Sequence, residues 1–129
     1  MSPRRRLTAA DVRGHCLAKP GAWLDQPWEG DHVAKVGDKI FAFLGGGDAP
    51  PGEAAAPAGV GLKCGRAREE ADEWVQRFPD DARSSAYIGR FGWNVLTIGG
   101  AIPDDELLEA VDASYEQVVA GLPRSNRPG

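Results

Sequence analysis

The last third of the chain pairs an apolar, β-branched segment with a long amphipathic one, and this pair constrains the fold more than any other feature. Residues 93–98 are followed by Gly99 and Gly100, which is typical of a strand and its end. Pro103 and the three acids after it predict a helix start, because carboxylates are favoured at the positive end of a helix dipole. Six apolar residues then share one stripe, which predicts a helix packed on a sheet: Leu107, Leu108, Val111, Tyr115, Val118 and Val119.

The rest of the chain supplies the other elements of such a fold. Two further helices are predicted, at residues 9–18 with Thr8 as N-cap and at residues 66–78. Strands are predicted at residues 22–30, 32–36, 39–44 and 60–64, and residues 80–92 are expected to be a loop or short turn. Gly37 and Asp38 suit a two-residue type II′ turn between the second and third of these strands.

Length and composition predict one domain that spans residues 1–129. Residues 1–7, 45–59 and 121–129 are expected to be flexible, and the middle segment combines a run of glycines with three prolines. No apolar run approaches membrane-spanning length and residues 1–6 lead into a polar segment, so we expect no membrane association and a cytoplasmic location. A monomer is also expected. Cys16 and Cys64 are expected to be buried, reduced thiols, because two cysteines without metal-ligand spacing indicate no disulfide framework or zinc site.

The negative charge of the chain is concentrated in the last helix. The net charge is −4, yet residues 103–122 carry six acids and no Lys or Arg, so the remaining residues have 15 basic side chains against 13 acidic ones. The acidity of the whole chain therefore does not exclude a partner with negative charge, because the excess of acids belongs to one helix.

The residues that usually carry catalysis or metal binding form no convincing set. The glycines at 45–47, 59 and 61 lack the Lys and Ser/Thr of a phosphate-binding loop. His15 and Cys16 are neighbours on a helix and point in different directions, so they do not converge on one ion. The sequence therefore predicts no cofactor, no metal and no enzyme, and His32 at the mouth of the hairpin is the better of the two histidines as a binding residue.

Basic and aromatic residues on the strands are the strongest indication of function. Alternation along strands places Lys35 and Lys63 on the sheet face opposite the helices, where cations can meet phosphates and Trp93 can stack on a base. The competing interpretation is a solvated outer face that uses lysine to discourage edge pairing. The complete set for nucleic-acid binding is Lys35, Lys39, Lys63, Arg90, Trp93 and Asn94, with Arg66, Arg68 and Arg83 nearby.

Several segments resemble the MmcQ/YjbR family in order and spacing. They are residues 16–21, 25–28, 31–42, 62–64, 93–95, 103–108 and 114–115, within a region from about Thr8 to Val119. The resemblance implies an α+β, CyaY-like fold, in which an antiparallel sheet carries helices on one face. It also implies a DNA-binding protein with a double-wing motif, in which the Gly37-Asp38 hairpin is one wing and residues 45–59 are the candidate for the other.

The leading hypothesis is a small non-enzymatic module that binds DNA through this basic face and the wings. The alternative is a small-anion or protein-interaction domain of the same fold, with a pocket lined by His32, Lys63, Trp93 and Asn94. A frataxin-like metal role has less support, because the first helix carries only Asp11, beside Arg13, in place of an acidic edge.

Overall fold

The computed structural model describes residues 7–28, 31–45, 59–85 and 88–128 of the chain. Within these residues lie three α-helices and six strands. Their order is α1 (Ala9–Leu17), β1 (Ala22–Trp28), β2 (Asp31–Val36), β3 (Lys39–Gly45), β4 (Gly59–Lys63), α2 (Arg68–Arg77), β5 (Ala82–Ser84), β6 (Trp93–Thr97) and α3 (Asp104–Ala120). Short 3₁₀ turns cover Gly89–Phe91 and Arg124–Asn126. The chain therefore has the α+β composition that the sequence predicts.

The strands form one antiparallel sheet in the order β1-β2-β3-β4-β6-β5. Its helix-covered face supplies the hydrophobic core: residues of alternate strand positions, such as Ala34, Leu62 and Leu96, are fully buried together with Val12 of α1 and Val111 of α3. The helices thus lie on one face of the sheet, as predicted.

The prediction for residues 80–92 missed a strand. Residues Ala82–Ser84 form β5, which pairs with β6 at the edge of the sheet, and Gly89–Phe91 form a 3₁₀ turn before β6. Three residues are too few to show an alternating pattern, so their strand conformation depends on pairing with β6 rather than on local sequence.

The start of α1 agrees with the sequence, and the helix ends at Leu17, one residue earlier than predicted. Thr8 and Asp11 form a capping box, in which the Asp11 backbone N–H donates to Thr8 Oγ1 at 3.2 Å and the Thr8 N–H donates to Asp11 Oδ2 at 2.9 Å. Such a cap satisfies two N–H groups that the helix cannot bond internally. Val12 and Cys16 of this helix are buried in the core.

The tail after α3 packs against the domain, although the sequence predicted a flexible segment at residues 121–129. Leu122 is 2% exposed and belongs to the core. The Arg127 side chain donates to the carbonyls of Leu122 and Ala120 at 2.9 Å each, which satisfies groups near the end of α3. The predicted flexibility of residues 1–7 and 45–59 falls almost entirely outside the described residues.

The β2–β3 hairpin is formed as predicted. Gly37 has φ +62°, in the left-handed region that the two-residue turn requires of its first residue. The Trp23 indole Nε1 on β1 donates to the Gly37 carbonyl at 2.9 Å, so the edge strand holds the turn. This hairpin turn lies at the same end of the sheet as the site described next.

Candidate nucleic-acid interface

An open pocket lies at one end of the sheet, where the end of β4 and the starts of β3 and β6 meet the last turns of α3. Its volume is about 270 Å³. The antiparallel register pairs Lys63 at the end of β4 with Trp93 at the start of β6. The lining residues are Lys39, Ile40, Lys63, Trp93, Gln117, Val118 and Gly121. The pocket thus combines two cations and an aromatic ring, and no carboxylate is among these lining residues.

Two close backbone contacts of the preceding residue, Gly92, fix the position of Trp93. Gly92 has φ +93°, and a Cβ there would lie 2.2 Å from the Gly65 carbonyl oxygen, so only glycine fits between the 3₁₀ turn and β6. The Cys64 N–H donates to the Gly92 carbonyl at 2.7 Å and locks this approach. The Trp93 ring then packs edge-to-face on Phe43, with centroids 5.4 Å apart, on the sheet face away from the helices.

Lys63 is tied to α3 through its backbone. Its N–H donates to Ser114 Oγ at 3.0 Å, and its carbonyl accepts from Gln117 Nε2 at 3.3 Å. The Ser114 hydroxyl in turn donates to the Phe41 carbonyl at 2.6 Å. Ser114 is fully buried, so a hydroxyl bonded to two strands sets the position of β4 against the helix.

The Lys63 ammonium donates to the Phe91 carbonyl at 3.3 Å. An ammonium has three donors, so the remaining ones can serve an anion. Phe91 is 51% exposed, and the Arg90 guanidinium lies over its ring at 4.8 Å. Arg90 and Phe91 therefore extend the cationic and aromatic surface beyond the Lys63 side of the pocket.

Lys35 does not belong to this site. Its ammonium lies 2.7 Å from Asp25 Oδ2 and 5.2 Å from the centre of the Trp23 ring. The hydrogen bond from Lys35 lowers the pKa of Asp25 below its usual value. This cation is on the open face, as alternation predicts, but its charge is already matched by a carboxylate on the neighbouring strand.

Asn94 is fully buried on the helix side of the sheet. Its Nδ2 donates to the Ala71 carbonyl at 2.8 Å, and its Oδ1 accepts from Arg68 Nη2 at 2.5 Å. Neighbouring strand residues point to opposite faces, so Trp93 and Asn94 cannot both reach one surface. Asn94 therefore connects β6 to α2, and the structure does not place it with the predicted binding residues.

His32 lies at the other end of the sheet from Trp93. It pairs with Gly45 across β2 and β3, whereas Lys39 of β3 is at the pocket end. The length of β6 alone, from Trp93 to Thr97, separates the two ends by about 13 Å. The alternative ligand set is thus divided: Lys63 and Trp93 meet at the pocket, whereas His32 and Asn94 lie elsewhere.

Sequence reasoning missed Ser114 and Gln117. Both follow the helical spacing of the apolar stripe, with Ser114 three residues after Val111 and Gln117 three residues after Ser114. A polar residue at a stripe position is the signal that could have found them, because it must bond something where the helix meets the sheet.

Most acids of α3 lie away from the pocket. Asp104 to Glu106 precede Gln117 by 11–13 residues, which is roughly 17–20 Å along a helix. Glu106 pairs with Arg77 at 2.9 Å, and Asp112 pairs with His15 at 2.7 Å and with Lys19. Only Glu116, which is exposed, neighbours the lining residues of α3 in sequence. The acidic helix therefore does not neutralise the two lysines.

The described residues contain no cluster of three or more His, Cys, Asp or Glu side chains that could hold a metal ion. No helix among them has the length and apolar character needed to cross a membrane. The proposed second wing, residues 45–59, lies almost wholly outside these residues.

Comparison with known proteins finds relatives of uncharacterised function. A family model described as YjbR matches residues 17–117. The chain is 29% identical over 123 residues to the uncharacterized protein YjbR of Escherichia coli K12, which covers 94% of this chain and 95% of that protein, and the O157:H7 protein matches equally. The crystal structure of Deinococcus radiodurans protein DR2400, a DUF419 domain, has a similar fold with a TM-score of 0.73 at 22% identity, covering 92% of this chain and 84% of that one.

Proposed function

The chain belongs to the YjbR family, and we propose that it is a small non-enzymatic module that binds nucleic acid. The observation that carries the proposal is the convergence of Lys39, Lys63 and Trp93 in one open pocket, with Arg90 and Phe91 beside it. Cations bind phosphates and exposed aromatic rings stack on bases, so this surface offers both components of nucleic-acid binding.

The position of the hairpin supports the same proposal. Lys39 follows the Gly37-Asp38 turn directly, so the turn and the pocket share one edge of the domain. A wing that reaches into nucleic acid from this edge would carry Lys39 to the phosphates. The contact set that we propose is therefore Lys39, Lys63, Arg90 and Trp93, without Lys35 and Asn94.

The small number of cations sets the expected strength of binding. Each neutralised phosphate on a duplex contributes a slope of about −0.9 to the dependence of log K on log salt. Three cations therefore predict a slope of roughly −2 to −3 and measurable binding chiefly at low salt. We expect a monomer in the cytoplasm, where free thiols such as Cys16 and Cys64 stay reduced.

A fluorescence anisotropy titration tests the proposal with labelled DNA at low salt. We expect Lys39→Ala, Lys63→Ala and Arg90→Ala each to weaken binding by about three- to tenfold and to reduce the salt slope by about one unit. Lys35→Ala is the matched control, because its ammonium is paired with Asp25, and it should bind as the parent protein does. Absence of binding at low salt, or equal effects of Lys35→Ala and Lys63→Ala, would contradict the proposal.

A small anion is the second candidate ligand, and the concave shape of the site favours it. A volume of about 270 Å³ lies just below the roughly 300–1,000 Å³ typical of small-molecule pockets. A thermal-shift screen with nucleotides, phosphorylated metabolites and DNA separates the candidates, because only a ligand that binds the folded state raises the melting temperature. Stabilisation by a phosphorylated metabolite without any effect of DNA would favour the small anion.

A further inference from the structure

The pocket offers more than positive charge. Its lining supplies the flat ring of Trp93, the ammonium donors of Lys39 and Lys63, and the amide of Gln117. The Gln117 amide is oriented by its bond to the Lys63 carbonyl, because only the NH₂ side of an amide can donate to a carbonyl. The other atom, Oε1, is shielded from water and has no hydrogen-bond partner in the described part of the chain.

Gln117, which carries this unpartnered acceptor, lines the pocket together with an aromatic ring and two cations, and these groups match the parts of a nucleotide. A buried polar atom is usually hydrogen-bonded, so a ligand that satisfies Oε1 must bring an N–H group. Every common nucleobase has a flat apolar face and at least one N–H on its pairing edge, and the phosphates beside it carry the negative charge that lysines bind.

In a duplex these groups are inaccessible, because the base faces are stacked and the pairing edges are bonded to the partner strand. A single strand exposes both. The exposed Phe91 ring, with the Arg90 guanidinium over it, gives a second aromatic surface next to the pocket. A pair of stacking surfaces flanked by cations is typical of proteins that bind single strands.

We propose that the pocket holds one unpaired base of a single-stranded nucleic acid. The base lies against Trp93, the Gln117 amide rotates so that Oε1 accepts from the N–H edge of the base, and the adjoining phosphates lie at Lys39 and Lys63. The neighbouring base stacks on Phe91. This inference rests on the proposed function and narrows its substrate to unpaired strands.

The carboxyl end of α3 repels an anion in the pocket, but its partial negative charge is smaller than the combined positive charge of the two lysines. Gln117, Val118 and Gly121 lie at the carboxyl end of the helix, which carries about half a negative charge. Two full positive charges face it, and Arg127 bonds the Ala120 and Leu122 carbonyls. We therefore expect the phosphates at the lysines and the uncharged base toward the helix.

The test compares labelled strands of about 12 nucleotides, within the site sizes of about 4–16 that single-strand binders cover. Four probes are titrated by anisotropy: oligo-dT, oligo-rU, an abasic strand with the same phosphates, and a duplex of equal length. We expect oligo-dT to bind about tenfold or more tighter than the abasic strand and the duplex, because each stacked base adds affinity beyond the phosphates. The ratio of oligo-dT to oligo-rU distinguishes DNA from RNA as the source of the strand.

Variants assign the preference to the pocket. Trp93→Leu and Gln117→Leu should each reduce the preference for oligo-dT over the abasic strand, whereas Lys39→Ala should weaken all probes alike. Gln26→Leu is the matched control for Gln117→Leu, since Gln26 is an exposed glutamine on β1 that does not line the pocket. Gln117→Leu keeps the test valid if Trp93→Leu fails to fold, which circular dichroism reveals.

The outcomes separate this inference from the proposed function. Equal binding of the single strand, the abasic strand and the duplex, weakened by Lys63→Ala, would overturn the inference and leave nucleic-acid binding in place. Absence of binding to every probe at low salt would overturn both. A preference for oligo-dT over the abasic strand that is undiminished in both Trp93→Leu and Gln117→Leu would also overturn it, because the base would then bind elsewhere.

Discussion

Phe43 on β3 and Trp93 on β6 pack edge-to-face at 5.4 Å although a whole strand, β4, separates them. Gly61 of β4 pairs with Phe43 on one side and, on the other side, with Val95, two residues after Trp93. A Cβ at Gly61 would lie 3.0 Å from the Phe43 Cβ and 3.3 Å from its ring. The missing side chain lets the two rings meet and so supports Trp93 at the pocket.

We predict that Gly61→Val separates these rings. Its added methyl groups must displace Phe43, and overpacking of this kind costs about 1–3 kcal/mol. The free energy of unfolding, measured by urea denaturation, should fall by that amount, and the pocket should lose affinity for any ligand that needs Trp93. Gly14→Ala is the control, because its Cβ would meet nothing within 4 Å in an exposed helix, and it should be neutral or slightly stabilising.

Asn94 should matter for stability and little for binding. Asn94→Leu removes the hydrogen bond to the Ala71 carbonyl and one partner of the Arg68 guanidinium. We expect a loss of roughly 2–4 kcal/mol in the free energy of unfolding, as is typical when a buried hydrogen-bond network is broken. Nucleic-acid affinity of the folded variant, measured well below its melting temperature, should stay within about twofold of the parent. Unchanged stability with lost affinity would show instead that Asn94 contacts the ligand.

The sequence predicted which sheet face the lysines occupy, but it did not predict whether their charges are already paired. Strand alternation places Lys35 and Lys63 on the open face, and the structure agrees. Only the pairing of β1 with β2 shows that Lys35 is matched by Asp25, because the partner of a surface charge depends on strand register. Asn94 was grouped with Trp93 by adjacency, although the same alternation places neighbours on opposite faces.

The missed parts of the site share one physical cause. Ser114 and Gln117 act through contacts with strands more than 50 residues away in the chain, and no local pattern encodes those contacts. The pocket exists because β3, β4, β6 and α3 end at one place. Such a coincidence follows from the sheet order β3-β4-β6, which periodicity does not determine.

The two thiols should react slowly in the folded protein. Burial raises the pKa of Cys64 to about 11 and that of Cys16 to about 12, from a reference of 9.0. The thiolate is the reactive form, so a rise of two units lowers its population at pH 8 about 100-fold. A disulfide reagent at pH 8 should therefore modify native Cys64 about 100-fold more slowly than the urea-unfolded chain. Cys64→Ser isolates Cys16, which should be slower still, and rapid labelling of either native thiol would contradict this burial.

Acid should release the contact between α1 and α3 at Asp112. Burial works to raise the pKa of Asp112, but hydrogen bonds from Lys19 and His15 outweigh it and leave the pKa below the usual 3.8. A carboxyl group with a lowered folded pKa stabilises the protein above its unfolded pKa, and this contribution is lost as the pH falls through the folded value. Asp112→Asn should therefore cost about 0.5–1 kcal/mol at pH 5 and above, a modest value because the side chain is 40% exposed.

Urea denaturation across a pH series measures this effect. The difference in unfolding free energy between the parent protein and Asp112→Asn should begin to shrink as the pH approaches 3.8 and should approach zero below the lowered pKa. Glu109→Gln is the matched control, since it removes an exposed acid from the same helix, and its difference should be smaller at neutral pH. A gap that widens in acid would mean that Asp112 is more easily protonated in the folded protein, opposite to the geometry of the His15 and Lys19 contacts.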